Sequence, residues 1–166
     1  MIKRGSFLLG LMMPVLLFSC TRNIAPSSTE TEKEVTVFNA ATMSADILKH
    51  INAYRKSKGL SALTTIEVAN EQAAQHSKNM ALKKTAFSHN GFEERIATIS
   101  KTAGRMRAAA ENVAYGQLSA KEVVEGWINS PGHKKNIEGN YTLTGIGVYR
   151  DNKGVIFFTQ LFMRRY

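Results

Sequence analysis

The sequence predicts an α+β protein, a three-layer α-β-α sandwich with a small antiparallel sheet between helices. Three observations predict it. Stretches with apolar residues three and four apart recur between Ser44 and Ile128, as amphipathic helices require. Two strand-like runs close the sequence, separated by Asp151-Asn152-Lys153-Gly154, a hairpin turn. The last of these runs is apolar on both faces, with Phe157 and Leu161 on one side and Ile156, Phe158 and Phe162 on the other. A strand covered on one side only would alternate, so this one is expected to lie between two helix layers.

Taken in order, residues 1–19 read as a secretion signal. Lys3 and Arg4 make a basic start, and Phe7 to Phe18 is an apolar stretch shorter than the roughly 20 residues of a membrane span. It closes on Leu17-Phe18-Ser19-Cys20, which resembles a bacterial lipobox. That resemblance implies cleavage before Cys20 and acylation of its thiol; the alternative is ordinary secretion with an incidental cysteine. Acyl chains bury about 0.8 kcal/mol per methylene, so a multiply acylated Cys20 would anchor firmly. Residues 20–41 are polar and rich in Ser, Thr and Glu, as a lipidated tether would be, with a short extended piece expected at Val35-Thr36-Val37-Phe38. Residues 42–166 are expected to form one domain.

In that domain, the first helix is predicted from Ser44, as N-cap, to Lys58, with Ile47, Ile51 and Tyr54 inward and Gly59 as the stop. Thr64-Thr65-Ile66-Glu67 has capping-box form, predicting a second helix that carries Ala69, Ala73, Met80 and Leu82 and fades near Lys84. A shorter helix is expected over Phe92 to Ser100, with Ile96 and Ile99 inward. Ser119-Ala120-Lys121-Glu122 is a second box. It opens a helix in which Val123 pairs with Trp127 and Val124 with Ile128, ended by Pro131-Gly132. The strands are predicted over Leu143 to Arg150 and Val155 to Arg164. Gly147, between Ile146 and Val148, would let a neighbouring element come close.

Composition narrows the chemistry. Cys20 is the single cysteine, so the domain has no disulfide, no thiolate zinc site and no cysteine nucleophile. The formal charge of +9 falls to +7 without Lys3 and Arg4. In an exported chain that surface suits anionic headgroups or wall polymers better than nucleic acid, and no nucleic-acid motif is present. Of the histidines, His50 and His76 lie in helices among polar neighbours and read as surface residues. His89 and His133 stand just past helix ends among small residues, where functional groups gather. Glu111-Asn112 interrupts the apolar run Ala108 to Ala114, and a carboxylate there must be paired or exposed. If they converge, His89, His133 and Glu111 could hold zinc with an open position for water, or serve as an acid/base pair. Ser130 beside His133 invites a nucleophile-base reading, but Ser-Pro-Gly reads more simply as a helix-ending turn with its hydroxyl bonded to backbone. Thr159-Gln160 and Trp127 read as interior residues.

The motifs form one ordered series. It runs Asn52-x-x-Arg55-x-x-x-Gly59-Leu60-x-x-Leu63, Phe87-Ser88-His89, Glu111-Asn112-Val113-Ala114, Trp127-Ile128-Asn129-Ser130-Pro131-Gly132-His133-x-x-Asn136-Ile137, Gly145-Ile146-Gly147-Val148 and Thr159-Gln160. From about Asp46 to Phe162 it resembles a bacterial CAP (SCP) domain, of the superfamily of cysteine-rich secretory proteins, insect antigen 5 and plant pathogenesis-related proteins. The resemblance implies an α-β-α sandwich with His89, Glu111 and His133 lining a central cleft, beside Asn112 and Ser130. Many eukaryotic relatives carry two histidines and two acidic residues there, and some bind zinc or another divalent cation. Ser130 stands where the second acidic residue is expected, so three of the four groups carry over.

The expected function is an exported, lipid-anchored binding module of the cell envelope, or a secreted extracellular one. Its partners would be a lipid, a cell-wall component or an envelope protein, and not nucleic acid. The alternative is a metal-assisted hydrolase of a peptide or envelope polymer, using His89, Glu111 and His133.

Overall fold

The computed structural model describes residues 37–166. The expected signal, Cys20 and the expected tether up to residue 36 lie outside the described residues. Helix α1 spans Ala40–Ser57. It starts earlier than Ser44 because the side chain of Asn39 accepts a hydrogen bond from the Thr42 amide, which makes Asn39 the cap. Val37 and Phe38 belong to no strand. Phe38 and Ala40 instead pack on the core. Gly59, at φ +71°, takes the left-handed position just past the helix end, as expected of its stop.

Strand β1, Thr64–Thr65, pairs in parallel with the later strand at Leu143 and Thr144. The predicted capping box at these threonines is therefore absent. Their backbone joins the sheet, and α2, Glu67–Ala81, starts from Ile66 without a side-chain cap. Ala69, Ala73 and Met80 are buried on α2, whereas Leu82 caps its exposed end. Helix α3, Phe92–Ala103, buries Ile99, with Ile96 partly buried against the same cluster. Strand β2, Met106–Gly116, follows where sequence reading saw an apolar run without a secondary structure. Helix α4, Ala120–Asn129, carries the full capping box between Ser119 and Glu122. Pro131-Gly132 does not simply end it. Pro131 opens another helix, α5 (Pro131–Ile137), because proline suits a first helical turn. Strands β3, Leu143–Arg150, and β4, Ile156–Arg165, form the expected hairpin.

The sheet order is β1-β3-β4-β2, so β4 is a central strand and β2 an edge; only the short β1–β3 pair is parallel. One face packs Ile146, Val148, Phe158 and Phe162 against Ile47 and Ile51 of α1 and Val123 and Trp127 of α4. The other packs Leu161 and Met163 against Ala69 and Ala73 of α2 and Ile99 of α3. Those are the two helix layers the sequence predicts. Gly145 and Gly147 let α2 lie directly on β3: a Cβ at Gly147 would stand 1.9 Å from the Ala74 amide nitrogen.

Several motif residues are ties of the framework. Asn52 exchanges hydrogen bonds with both backbone groups of Leu63. Arg55, buried, donates to the carbonyls of Ser61, Ile137, Gly139 and Tyr141, and so fixes the loop after α5 to α1. Thr159 bonds Ser77, and Gln160 donates to Thr144, as interior residues should.

Candidate functional site

Position 111 falls on the face of β2 that shares Leu161, because Glu111 pairs with Leu161 in the register of β2 and β4. Its side chain therefore enters the α2/α3 layer, 2% exposed. A carboxylate in that position must be compensated. Arg95 of α3 does this from below, with Nε 3.0 Å and Nη2 2.6 Å from Oε2. A third nitrogen of Arg95 donates to the Asn90 carbonyl at 2.9 Å. Gly91, at φ +77°, makes the turn between them, and a Cβ there would press to 3.3 Å on Arg95.

The other oxygen, Oε1, receives His89 Nδ1 at 2.8 Å. A carboxylate only accepts, so Nδ1 carries the proton and Nε2 is left facing away, on a side chain 55% exposed. The loop holding His89 is tied from behind. His76 Nε2 donates to the Ser88 carbonyl at 2.9 Å. His76 is thus a buried residue, 3% exposed, not the surface residue its polar neighbours suggest; His50 is half-buried. Burial, and then the nearby positive charge of Arg95, hold His76 below the usual imidazole pKa.

His133 sits in the first turn of α5, half-buried. Burial lowers its pKa, and the nearness of His89 lowers it further. Asn112 points to the opposite face from Glu111. Its Nδ2 donates to the His133 carbonyl at 3.1 Å, and its Oδ1 accepts from Asn136 at 2.8 Å. Asn136 also donates to the Glu111 carbonyl. Asn112 therefore clasps α5 to the sheet edge. Ser130 lies between α4 and α5, and its side chain caps neither, so the expected hydroxyl-to-backbone bond is not formed.

The structure brings His89 to Glu111 and sets His133 within electrostatic reach of His89. It does not assemble the expected metal set. Among the described residues no three His, Cys, Asp or Glu side chains are placed to hold an ion. The physical reason is Arg95: a guanidinium bonded twice to one carboxylate competes with any cation for it. Glu111, held in this way, does not fit zinc or another divalent metal as a ligand. Sequence reasoning missed Arg95 and His76. The signal for Arg95 was its place four residues before Ile99, on the inward stripe of α3 with Phe92 and Ile96.

The edge-strand carboxylate, its histidine and the second histidine across from it, set in a three-layer sandwich, define a domain of the SCP type. The chain belongs to the cysteine-rich secretory protein family (CAP), which matches residues 48–162. It is 31% identical to the membrane protein YlbC of Bacillus subtilis over 137 residues, which is 75% of this chain but 35% of YlbC. The chain thus spans about a third of that relative's length. An extracellular protein containing an SCP domain from Bacillus anthracis shares 27% identity and a TM-score of 0.66, over 76% of this chain and 41% of that one. An outer surface protein of Borrelia burgdorferi shares the fold at a TM-score of 0.68 with 21% identity, over 78% of this chain and 97% of that one. Among the described residues, no helix is long and apolar enough to cross a membrane.

Proposed function

We propose that this chain is an exported CAP-domain protein, lipid-anchored at Cys20, that works as a binding module of the cell envelope. Its ligand would be a lipid, a wall component or an envelope protein, held at the face that carries His89, Glu111 and His133. One observation carries the choice of binding over reaction. Both oxygens of Glu111 are occupied, one by Arg95 and one by His89. A carboxylate so held is a poor general base and a poor metal ligand, but a good fixed support for a histidine. His89 Nε2 is then a polar group presented outward in one orientation, which suits recognition. The same occupancy disfavours the metal-assisted hydrolase. The extracellular and membrane descriptions of the relatives, and the basic charge of the chain, support the envelope setting.

Acyl labelling and membrane fractionation of the chain and of Cys20→Ala test the anchor: label and membrane association should both vanish in the variant. Unchanged labelling would refute the anchor alone. For the binding face, purified delipidated chain is incubated with isolated envelopes, and captured lipid, glycan and protein are identified. The same species should be captured by the wild type and lost in His89→Ala. Capture of nothing, or capture indifferent to His89→Ala, would sink the reading.

A further inference from the structure

Two residues beyond Val113, the face of β2 that carries Glu111 changes from charge to aromatic rings. Tyr115, Phe157 and Tyr149 are cross-strand partners in one row over β2, β4 and β3. Tyr115 stacks on Phe157, with centroids 5.6 Å apart and planes at 19°. Phe87, from the loop between α2 and α3, meets Tyr115 edge-on at 4.8 Å. Tyr115 is 56% exposed and Phe87 46%. With Lys83, Lys84 and Thr85, the rings of Phe87, Tyr115 and Phe157 line a groove of about 440 Å³. None of His89, Glu111 or His133 lines it.

The rim of this groove is built against local preference. Lys83 is the non-glycine residue with positive φ, +57°, among the described residues. It closes α2 in a Schellman turn, with the Lys83 amide bonded to the Met80 carbonyl at 3.0 Å and the Lys84 amide to the Asn79 carbonyl at 2.8 Å. Glycine is least costly at that position, and a lysine there stores backbone strain. The turn brings Lys83 and Lys84 into the wall of the groove that the rings share. Among the described residues neither lysine forms an ion pair.

We propose that this groove binds an acidic glycan. The proposal rests on reading the chain as an envelope binding module. Sugar rings have flat faces of C–H groups and hydroxylated edges. They suit half-exposed aromatic rings, whereas an acyl chain requires enclosure on every side. Ring carboxylates would meet Lys83 and Lys84 by charge complementarity.

The test is calorimetric titration of the purified full chain in detergent with oligo-alginate and oligogalacturonate. Dextran oligomers and phosphatidylglycerol nanodiscs are the controls. The acidic oligosaccharides should bind, weaken with added salt and exceed dextran. Tyr115→Ala should weaken binding about tenfold. Lys83→Gly should weaken it about threefold yet raise the melting temperature by about 3 °C, because it relieves the strained turn. A lysine of merely structural use would not give that opposed pair of changes. Absence of binding to both acidic oligosaccharides, equal binding to dextran, preference for the nanodiscs, or binding indifferent to Tyr115→Ala would each overturn the proposal. Capture of envelope material that still depends on His89, with no binding to acidic glycan, would remove the groove and leave the proposed function standing.

Discussion

Arg95 is the residue on which the Glu111 corner depends. Its guanidinium spans Glu111 Oε2 and the Asn90 carbonyl, tying α3, β2 and the His89 loop together. Arg95→Met would strand a buried carboxylate, which costs about 3–5 kcal/mol. Urea denaturation should show that loss, and Glu111→Leu added to Arg95→Met should recover most of it. A single variant as stable as the wild type would mean that the pair is not buried as described. The histidines set the pH response. His76 and His133 are both held below the ordinary imidazole value of 6.5, chiefly by burial. Below that pH the unfolded chain binds more protons than the folded one. The stability present above about pH 6.5 therefore falls as the pH drops toward the folded-state values. His76→Gln, which retains a donor for the Ser88 carbonyl, should flatten that decline between about pH 7 and 5. Urea midpoints measured across the range check this, and an unchanged slope would contradict it. At this scale the sequence said little. His89 and Glu111 stood out by context, but Arg95 and His76 are polar residues inside helices, and only tertiary packing buries them.

Between α2 and β3 the contact is set by what β3 lacks. A Cβ at Gly147 would meet the α2 backbone at 1.9 and 2.1 Å, and backbone cannot rotate aside. Gly147→Ala should destabilise by about 3 kcal/mol through overpacking. Gly126→Ala, within α4 and open on all sides, should stabilise by about 0.5–1 kcal/mol. Thermal melts of the two variants test the contrast, and similar shifts would refute it. Elements with their own local signals were legible. Helix α4 carries a complete capping box, and β3 and β4 flank an Asp-Asn-Lys-Gly turn and bury both faces. Strand β2 was not legible. Its alanines and its Glu-Asn pair have poor strand propensity, and it is extended because it pairs with β4 from Met106 to Gly116. Thr64-Thr65 was misread because a threonine before a helix fits a cap and an edge strand equally well, and pairing with Leu143 and Thr144 decides between them.

For the whole molecule, two helix layers around β4 make a frame without any disulfide, which encloses Glu111 and Arg95 and leaves His89 exposed. His89 is more than half exposed, and the aromatic groove opens beside it on the same face of β2. That arrangement suits the proposed binding role. The family was legible from the order of its motifs. Their roles were less so, because Asn52, Arg55, Asn112 and Asn136 serve the frame. The claim that binding, and not metal chemistry, is the use of the Glu111 corner is tested most directly by a thermal melt of the purified full chain with added zinc and with chelator. Because Arg95 holds the carboxylate, the melting temperature should stay within about 1 °C of its unliganded value in both. A zinc site filled at a hundred times its Kd would add about 2.7 kcal/mol. A rise of roughly 10 °C with zinc, abolished in His89→Ala and His133→Ala, would contradict the account.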